Sequence, residues 1–409
     1  MGWNLSGAQA VTRSTSKLKF LYGYSWFPSD AYGNVQDLNL AYIRQLNDAG
    51  FDVEGFCLTL DPPGPCLTFK SLDRRWRYGE RKLLGMYERL ECALEGKDVL
   101  INGSGINLHP EFVAKLPVFT VFQCFDDPEN SHNLSRPVAA AYDLCLVGNI
   151  AEVETYHGWG VKAAEWSPMG LQPAIYDPNL TYEQILHGER DIDLFMMCDR
   201  LSPWRRERLD LLAQAFPDAN FYGRGWPLGY LPNDQEQKFL QRAKIGPNLH
   251  NSTGPINYRT FYLPANGVMQ VCDNRSHLGK IYELGKEVIG FDNVKECIDL
   301  CRYYLAHDQE RRQIAANGWK RAVTDYTEDA VFRRNVVLIE KMLVNHRCRP
   351  SSTASRERLH STLCVGPLYT TTSSYIAPTR KALGTICGYM KQYSTSVVNC
   401  IKNLVHLIR

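Results

Sequence analysis

Short apolar runs alternate with amphipathic stretches along the chain, and this alternation predicts strands that are followed by helices. The runs at residues 18–24, 51–60 and 98–102 have the length and apolar character of buried strands. Between the first two, residues 35–49 carry apolar side chains at helical spacing and stop at Gly50. A strand, a helix and a strand in succession predict a right-handed crossover and a parallel sheet.

The same alternation returns in the second half, after a stretch of weak pattern that contains Pro173 and Pro178. It predicts strands at residues 191–197, 220–222 and 268–272, and helices at 205–216, 294–305 and 327–344. A chain of 409 residues exceeds what one hydrophobic core usually supports. We therefore expect a first α/β domain at residues 1–170, a hinge at 171–190 and a second α/β domain at 191–344.

The remaining residues differ in composition from the two predicted domains. Residues 345–360 read as a linker that contains a run rich in serine and threonine. The tail at 361–409 has no acidic residue and a formal charge of +5, from Arg380, Lys381, Lys391, Lys402 and Arg409. Its apolar residues recur at helical spacing, so a basic amphipathic helix is predicted. Such a helix is typical of a membrane-surface or partner-binding element, and the alternative is an extra helix packed on the core.

Charge and cysteine content exclude several classes of protein. A net charge of +2 argues against a general nucleic-acid-binding surface. The 13 cysteines form no metal-like pair such as Cys-x-x-Cys, which fits a reducing cytosol. Residues 1–17 lack the apolar core of a secretory signal, and no apolar run approaches the roughly 20 residues of a membrane span. We expect a cytoplasmic protein, with the tail as the candidate for peripheral membrane contact.

An acidic pair is the most chemically suggestive feature of the first half. Asp126 and Asp127 follow the predicted strand at residues 118–125 and precede Pro128. Ligands bind at the carboxyl ends of strands in open α/β sheets, so one carboxylate is a candidate general base. The competing interpretation is turn chemistry, because Asp before Pro commonly forms a turn.

Three arginines crowd the start of the helix predicted at residues 205–216. Arg205, Arg206 and Arg208 oppose the helix dipole there. A bound diphosphate would reverse that balance, because N–H groups and cationic side chains would both contact it. Solvated arginines on an exposed turn are the alternative.

A glycine-rich turn follows the predicted strand at residues 220–222. Gly223 and Gly225 would let the backbone approach a ligand closely, and Trp226 offers a flat face for a base or a sugar ring. Trp226 is equally compatible with a place in the core.

Spaced residues in the second half carry a resemblance to a known group. They are Arg259, Phe261, Ala265 and Gly267, then Gly285, Glu287 and Val288, and finally Ile314, Ala315 and Gly318. Their order over residues 244–341 resembles the C-terminal half of GT-B glycosyltransferases, in particular the group related to the spore-maturation protein CgeB. In that group the second set lies on a strand and the third at a turn that ends a helix. The acidic pair and the glycine-rich turn also resemble it.

The resemblance implies two Rossmann-like domains that face a cleft, with the helical tail outside the match. It implies a nucleotide-sugar donor as co-substrate and neither a metal nor a cofactor. Lys244 and Arg259 join Arg205 and Arg206 as candidates for the donor diphosphate. One departure stands out, because the glutamate that grips the donor ribose in this group falls on Tyr262. A tyrosine offers one polar atom where a carboxylate offers two.

Two functions of different classes follow from these observations. The first is a glycosyltransferase, of the hexosyltransferase class, that moves a sugar from a nucleotide-sugar donor to an acceptor hydroxyl. The acceptor is left open between a lipid-linked molecule and a protein. The second is a non-catalytic GT-B-like binding or assembly protein with a degenerate donor site, which Tyr262 favours. A nucleotide-sugar epimerase, which shares the fold, is a weaker third interpretation.

Overall fold

The computed structural model describes residues 17–26, 28–29, 33–62, 67–103, 107–203, 205–231 and 233–346. Most of the predicted linker and the whole predicted tail lie outside these residues. None of the helices in the described ranges combines the length and the apolar character that crossing a membrane requires.

The first sheet has six parallel strands in the order β4-β1-β5-β6-β7-β8. A short antiparallel pair, β2 with β3, lies between β1 and α1 in the chain. The strands are β1 (Lys19–Tyr24), β2 (Pro28–Ser29), β3 (Gly33–Asn34), β4 (Asp52–Cys57), β5 (Val99–Asn102), β6 (Phe119–Cys124), β7 (Leu144–Val147) and β8 (Ala164–Trp166). The helices of this domain are α1 (Val35–Asp48), α2 (Phe69–Arg77), α3 (Arg81–Ala93), α4 (Pro110–Val113) and α5 (Val153–Gly158), with a 3-10 turn at Ala139–Ala141. A 3-10 turn at Pro173–Ile175 and α6 (Tyr182–His187) follow β8, and their buried residues Ile175 and Ile185 pack into the core of the second domain.

The second sheet has five parallel strands in the order β10-β9-β11-β12-β13. The strands are β9 (Ile192–Met197), β10 (Asn220–Tyr222), β11 (Ala243–Asn248), β12 (Met269–Cys272) and β13 (Ile289–Gly290). The helices are α7 (Arg206–Ala215), α8 (Asn233–Arg242), α9 (Arg259–Ala265), α10 (Arg275–Leu278), α11 (Val294–Ala306), α12 (Asp308–Asp325) and α13 (Glu328–His346). Two α/β domains with parallel sheets are therefore confirmed.

Each sheet is covered on both faces, as all-parallel sheets require. In β1, Leu21 packs into one apolar cluster while Phe20 and Tyr22 pack into the cluster on the other face. The second sheet likewise separates two clusters, one with α8 and α9 and the other with α7 and α11. No strand of either sheet lies between Trp166 and Ile192. We therefore propose that the domains divide within residues 171–190.

The last described helix returns to the first sheet. Phe332, Val336, Ile339 and Leu343 of α13 are buried in the same cluster as β1. The Phe332 ring lies edge-on to Phe20 and Phe51, with centroids 5.4 and 4.8 Å away. The helix begins after Tyr326, whose carbonyl accepts a hydrogen bond from the Leu171 N–H. Helix α13 therefore crosses back from the second domain to the first sheet.

Two local expectations were wrong. The strand expected at the Gly-x-Glu-Val element begins only at Ile289, because Gly285 and Val288 close a turn through a backbone hydrogen bond of 2.9 Å. The turn expected at Gly318 is the interior of α12. A Cβ atom at Gly318 would come within 2.3 Å of the Glu287 carbonyl oxygen, so this glycine permits close packing of a helix on a backbone.

We expect Phe332→Ala to lower the free energy of unfolding by about 3–5 kcal/mol, because it leaves a cavity between α13 and the first sheet. Val337 on the same helix is 46% exposed, and Val337→Ala is the matched control. The control should change stability by about 0.5 kcal/mol or less. Urea unfolding of both variants measures the difference, and equal effects would show that α13 does not depend on this aromatic contact.

Candidate functional site

The second sheet reverses its winding direction between β9 and β11. From β9 the chain passes to β10 on one side, and then crosses back to β11 on the other side. The loops that leave β9 and β11 therefore diverge, and such a switch point is where open α/β sheets form a ligand-binding crevice. We call the space between residues 198–203 with Arg205 on one side and residues 249–258 on the other the crevice.

Arg259 joins the two strand ends at the base of the crevice. Its side chain is buried, and Nε donates to the Asn248 side-chain oxygen at 3.0 Å. Nη1 donates to the Met197 carbonyl at 3.1 Å, and Nη2 to the Leu249 carbonyl at 3.5 Å. Met197 ends β9 and Asn248 ends β11. One guanidinium group therefore satisfies carbonyl groups that the diverging strands leave unpaired.

Arg205 lies beside Arg259 and contacts the same loop. It is the N-cap residue of α7, and its Nη1 donates to the Leu249 carbonyl at 2.8 Å. Its Nη2 donates to the Asp199 carbonyl at 3.3 Å, while the buried Nε has no hydrogen-bond partner. Burial lowers the pKa of Arg205, and the nearby charge of Arg259 lowers it further.

The hydrogen-bond acceptors of Arg205 and Arg259 are carbonyl and amide oxygens, which carry no formal charge. Two adjacent buried cations therefore keep positive charge at the crevice. Burial lowers the pKa of His250 as well, and the charges of Arg259 and Arg205 contribute to the same shift. An anion is the ligand that such a field favours.

The glycine-rich turn packs against the loop after β9. Gly223 has a φ of 123°, and a Cβ atom there would come within 2.3 Å of the Cys198 carbonyl oxygen. Trp226 is buried, and its Nε1 donates to the same carbonyl at 2.8 Å. The Arg200 guanidinium covers the indole ring at 5.0 Å, and Gly225 packs on Leu201. In this arrangement the predicted donor-contacting turn shapes one wall of the crevice, and Trp226 belongs to the core.

Two of the residues predicted to bind the donor nucleotide lie away from the crevice. Lys244 lies at the amino end of β11, opposite the crevice, and its Nζ forms an ion pair with Asp193 at 2.5 Å. Arg206 lines a surface depression of about 510 Å³ on α7 together with Glu207 and Asp210. Tyr262 is buried inside α9, and burial raises the pKa of its hydroxyl well above the ordinary value.

One residue that the sequence did not single out lies beside Arg259 and Tyr262. Glu236 of α8 is 2% exposed, and both carboxyl oxygens lack a hydrogen-bond partner in the described part of the chain. Burial raises the pKa of Glu236 to about 8, and the Arg259 charge opposes this shift. Its polar neighbours in sequence, Gln235 and Gln237, resemble a solvated helix face, so no local signal identified it.

Asp127 is part of a buried hydrogen-bond network. The Ser135 hydroxyl donates to its two carboxylate oxygens at 2.8 and 2.6 Å, and the Tyr156 hydroxyl donates at 2.5 Å. Burial raises the pKa of Asp127, and these hydrogen bonds act in the opposite direction. The Asp127–Pro128 peptide bond is cis. Asp127 therefore fixes the loop after β6.

Asp126 has a different environment from its neighbour. Its side chain is half-buried and makes no hydrogen bond or ion pair with the described part of the chain. Burial raises the pKa of Asp126 to about 7, and the carboxylates of Asp127 and Glu129 contribute to the same shift. A carboxyl group with a pKa near the working pH and no internal partner has the properties of a general base.

The loop after β6 contacts the second domain. The Asn149 side-chain amide donates to the Asp127 carbonyl at 3.1 Å and to the hydroxyls of Ser252 and Thr253 at 3.1 and 3.0 Å. The Thr253 hydroxyl donates to Glu152 at 2.6 Å. Ser252 and Thr253 belong to the loop after β11, so Asn149 bridges the loop that carries the acidic pair to the crevice loop of the second domain.

His250, Cys272 and Asp273 form the one group with metal-ligating spacing that the described residues contain, with ligand atoms within 4.8 Å. His250 Nδ1 lies 2.6 Å from an Asp273 oxygen, and the His250 N–H donates to the other oxygen at 2.9 Å. Burial raises the pKa of the Cys272 thiol well above its usual value. The His250–Asp273 contacts hold the loop after β11.

Comparison with known proteins agrees with this geometry. The sequence profile of a family described as "Glycosyl transferase-like" matches residues 201–334. Sucrose-phosphate synthase from Thermosynechococcus elongatus superposes with a TM-score of 0.55 at 10% identity, covering 80% of this chain and 100% of that one. Anabaena HepE in complex with UDP superposes with a TM-score of 0.52 at 14% identity, covering 79% and 100%.

A third similar structure is a glycosyltransferase from Rickettsia africae, with a TM-score of 0.53 at 13% identity and coverage of 80% and 99%. None of the curated protein sequences matches the chain significantly. The chain has the GT-B fold. Glycosyl transfer from a nucleotide sugar is the general class of activity that the profile and the fold support.

We expect Asp127→Ala to lower the free energy of unfolding by about 1–3 kcal/mol, because the buried hydroxyls of Ser135 and Tyr156 lose their acceptor. Asp126→Ala is the matched control, since that side chain has no internal partner. It should not lower the free energy of unfolding, and at pH 8 should raise it, because the raised pKa of Asp126 makes its carboxylate unfavourable in the folded protein. Urea unfolding at pH 8 compares the two, and a larger loss at Asp126 would contradict the assigned roles.

Proposed function

We propose that the protein is a glycosyltransferase that moves a sugar, of the hexose class, from a nucleotide-sugar donor to an acceptor hydroxyl. Within the GT-B fold we place it with the group related to the spore-maturation protein CgeB, on the residue pattern from Arg259 to Gly318. The observation that carries the proposal is the pair of buried guanidinium groups, Arg205 and Arg259, whose hydrogen bonds all go to uncharged oxygens.

The crevice would hold the donor diphosphate. The Arg205 Nε is buried without a partner, so it is a donor available to a phosphate oxygen. The first turn of α7, whose N-cap side chain makes no capping hydrogen bond, adds N–H groups at the same place. Charge that develops on the leaving diphosphate would be stabilised by these fixed cations and dipoles. The proposal includes no metal and no cofactor.

Asp126 would act from the opposite domain. In an inverting transfer its carboxylate accepts the proton of the acceptor hydroxyl as the acceptor oxygen bonds to the anomeric carbon. The bond from that carbon to the diphosphate oxygen breaks, and the diphosphate leaves with the electron pair. Asn149 bridges the loop after β6 to Ser252 and Thr253, which supports this arrangement because it holds that loop near the crevice.

A non-catalytic nucleotide-binding protein is the second candidate. It is favoured by Tyr262, which is buried in α9 at the position where the resembling group has its ribose-binding glutamate. Nucleotide binding without turnover of any nucleotide sugar would support this candidate over the transferase.

The nature of the acceptor is linked to the role of the tail in this proposal. The basic amphipathic segment predicted at residues 361–409 lies outside the described residues. Contact of that segment with an anionic membrane surface, and transfer to a lipid-linked acceptor there, remain hypotheses that rest on its composition alone. A protein acceptor is the alternative.

We expect Arg205→Met to weaken binding of UDP about tenfold or more, because a charge-assisted donor is lost from the crevice. UDP is the first probe because the Anabaena structure contains it, and GDP and ADP complete the panel. Lys244→Met is the matched control, since Lys244 lies at the other end of β11, and it should bind like the parent protein. Isothermal titration calorimetry measures all three. Loss of affinity in the Lys244 variant alone would place the donor elsewhere.

We expect Asp126→Asn to lower turnover of the nucleotide sugar about a hundredfold or more with little change in donor affinity. A general base works when deprotonated, so the parent turnover should rise as the pH increases through about 7, the pKa of Asp126, and level off above it. Initial rates of nucleoside diphosphate release from pH 5 to 9 measure both effects. Full turnover in the Asn variant would exclude Asp126 as the base.

A further inference from the structure

The backbone of the loop after β6 decides where the Asp126 carboxylate lies, because that side chain makes no hydrogen bond or ion pair with the described part of the chain. Within the first domain, the hydroxyls of Ser135 and Tyr156 hold the next side chain, Asp127. A further anchor is the Asp127 carbonyl oxygen, which accepts a hydrogen bond from Asn149 Nδ2 at 3.1 Å. The placement of the proposed base therefore depends on Asn149.

Asn149 is itself held where it reaches this carbonyl group. It lies two residues after the end of β7 and is 1% exposed. Gly148 lets the ends of β6 and β7 lie close together, because a Cβ atom there would come within 2.3 Å of the Phe125 ring. The Ala151 N–H donates to Asn149 Oδ1 at 3.1 Å, which directs Nδ2 toward the Asp127 carbonyl. An amide nitrogen is a donor only, so an aspartate could not make the same contact.

The second domain contacts the same amide group. Asn149 Nδ2 donates to the hydroxyls of Ser252 and Thr253 at 3.1 and 3.0 Å. A Cβ atom at Gly254 would come within 2.2 Å of Asn149 Oδ1, so the loop after β11 packs directly on the amide. The Thr253 hydroxyl donates in turn to Glu152 of the first domain at 2.6 Å. One buried side chain therefore contacts the loop after β6 and the loop after β11 at once.

The loop after β11 is also the loop that the two buried arginines contact. The Leu249 carbonyl accepts hydrogen bonds from Arg205 at 2.8 Å and from Arg259 at 3.5 Å. Ser252 and Thr253 follow three and four residues later in the chain. A displacement of about 1 Å at a reacting group can lower a rate about a hundredfold. A bridge between these two loops is therefore relevant to turnover.

We propose that Asn149 is a positioning residue for the transfer, and that it fixes Asp126 relative to the diphosphate site. Its amide group does so by joining the Asp127 carbonyl to the hydroxyls of Ser252 and Thr253. This inference rests on the proposed function, because it takes Asp126 as the base. It gives two hydroxyls of the second domain, which bond to Asn149 rather than to Asp126, an influence on the step in which Asp126 accepts a proton.

The test compares the parent protein with Asn149→Ala and Asn149→Asp. Aspartate keeps the shape of the side chain and the acceptor for the Ala151 N–H, but it lacks the donor. Both variants should lower turnover about tenfold or more, while the affinity for UDP stays within about threefold of the parent value. Initial rates of diphosphate release from UDP-, GDP- and ADP-glucose measure turnover, and calorimetric titration with UDP measures affinity.

Asn335→Ala is the matched control for a general loss of stability. Asn335 is a buried asparagine of α13, and its Nδ2 donates to the Ser167 hydroxyl of the first domain at 2.9 Å. Thermal unfolding shows how far this variant and Asn149→Ala are destabilised. Turnover should fall only in the Asn149 variant.

A second variant tests the contribution of the second domain. Ser252→Ala combined with Thr253→Val removes both hydroxyls and keeps Asn149 with its bond to the Asp127 carbonyl. Turnover should fall about threefold or more, because one side of the bridge is lost. Hydrogen exchange of residues 125–130 gives a readout that needs no substrate. Exchange there should be faster in this variant and in both Asn149 variants, and unchanged in Asn335→Ala.

The outcomes separate this inference from the proposed function. Parent-like turnover in both Asn149 variants would overturn the inference and leave the proposed function intact. Lower turnover without faster exchange at residues 125–130, or an equal loss of turnover in Asn335→Ala, would do the same. A parent protein that turns over none of the three nucleotide sugars would overturn both.

Discussion

The hydrogen bonds of Arg259 to the ends of β9 and β11 are the interaction on which the second domain depends. Where two parallel strands diverge, their carbonyl groups no longer face a neighbouring strand, and buried carbonyl groups need hydrogen-bond donors. A guanidinium group with donors in a planar fork can serve both ends at once, which a lysine could not do. The shape of the crevice and its positive charge therefore have the same origin.

Contacts between the two domains join the loop that carries Asp126 to the positively charged crevice. Asn149 bridges the loop after β6 to Ser252 and Thr253, and α13 returns to pack on the first sheet. These contacts join the loop that carries Asp126 to the loop that Arg205 and Arg259 hold. These contacts therefore set the distance between the proposed base and the proposed site of the leaving diphosphate.

The sequence was sufficient for the fold and for part of the site. The spacing of apolar residues predicted both sheets, because that spacing reflects which side chains of each strand and helix are buried. The position of Lys244 could not be predicted, since the pattern did not show that it begins β11 rather than ends it. Trp226 and Gly223 were identified, but their contact with the Cys198 carbonyl depends on a neighbouring loop. Glu236 gave no signal at all, because its burial arises from α9 and the sheet rather than from its own helix.

The two adjacent aspartates differ in a way that extends beyond the loop that carries them. Ser135 and Tyr156 hold the Asp127 carboxylate by donating hydrogen bonds to it, and these bonds favour its charged form. That charge in turn raises the proton affinity of Asp126. Two hydroxyl groups with no hydrogen bond to Asp126 therefore help to set how strongly it holds a proton. The hydrogen bonds that Ser135 and Tyr156 donate to Asp127 are therefore as much a determinant of the proton affinity at Asp126 as the surroundings of Asp126 itself.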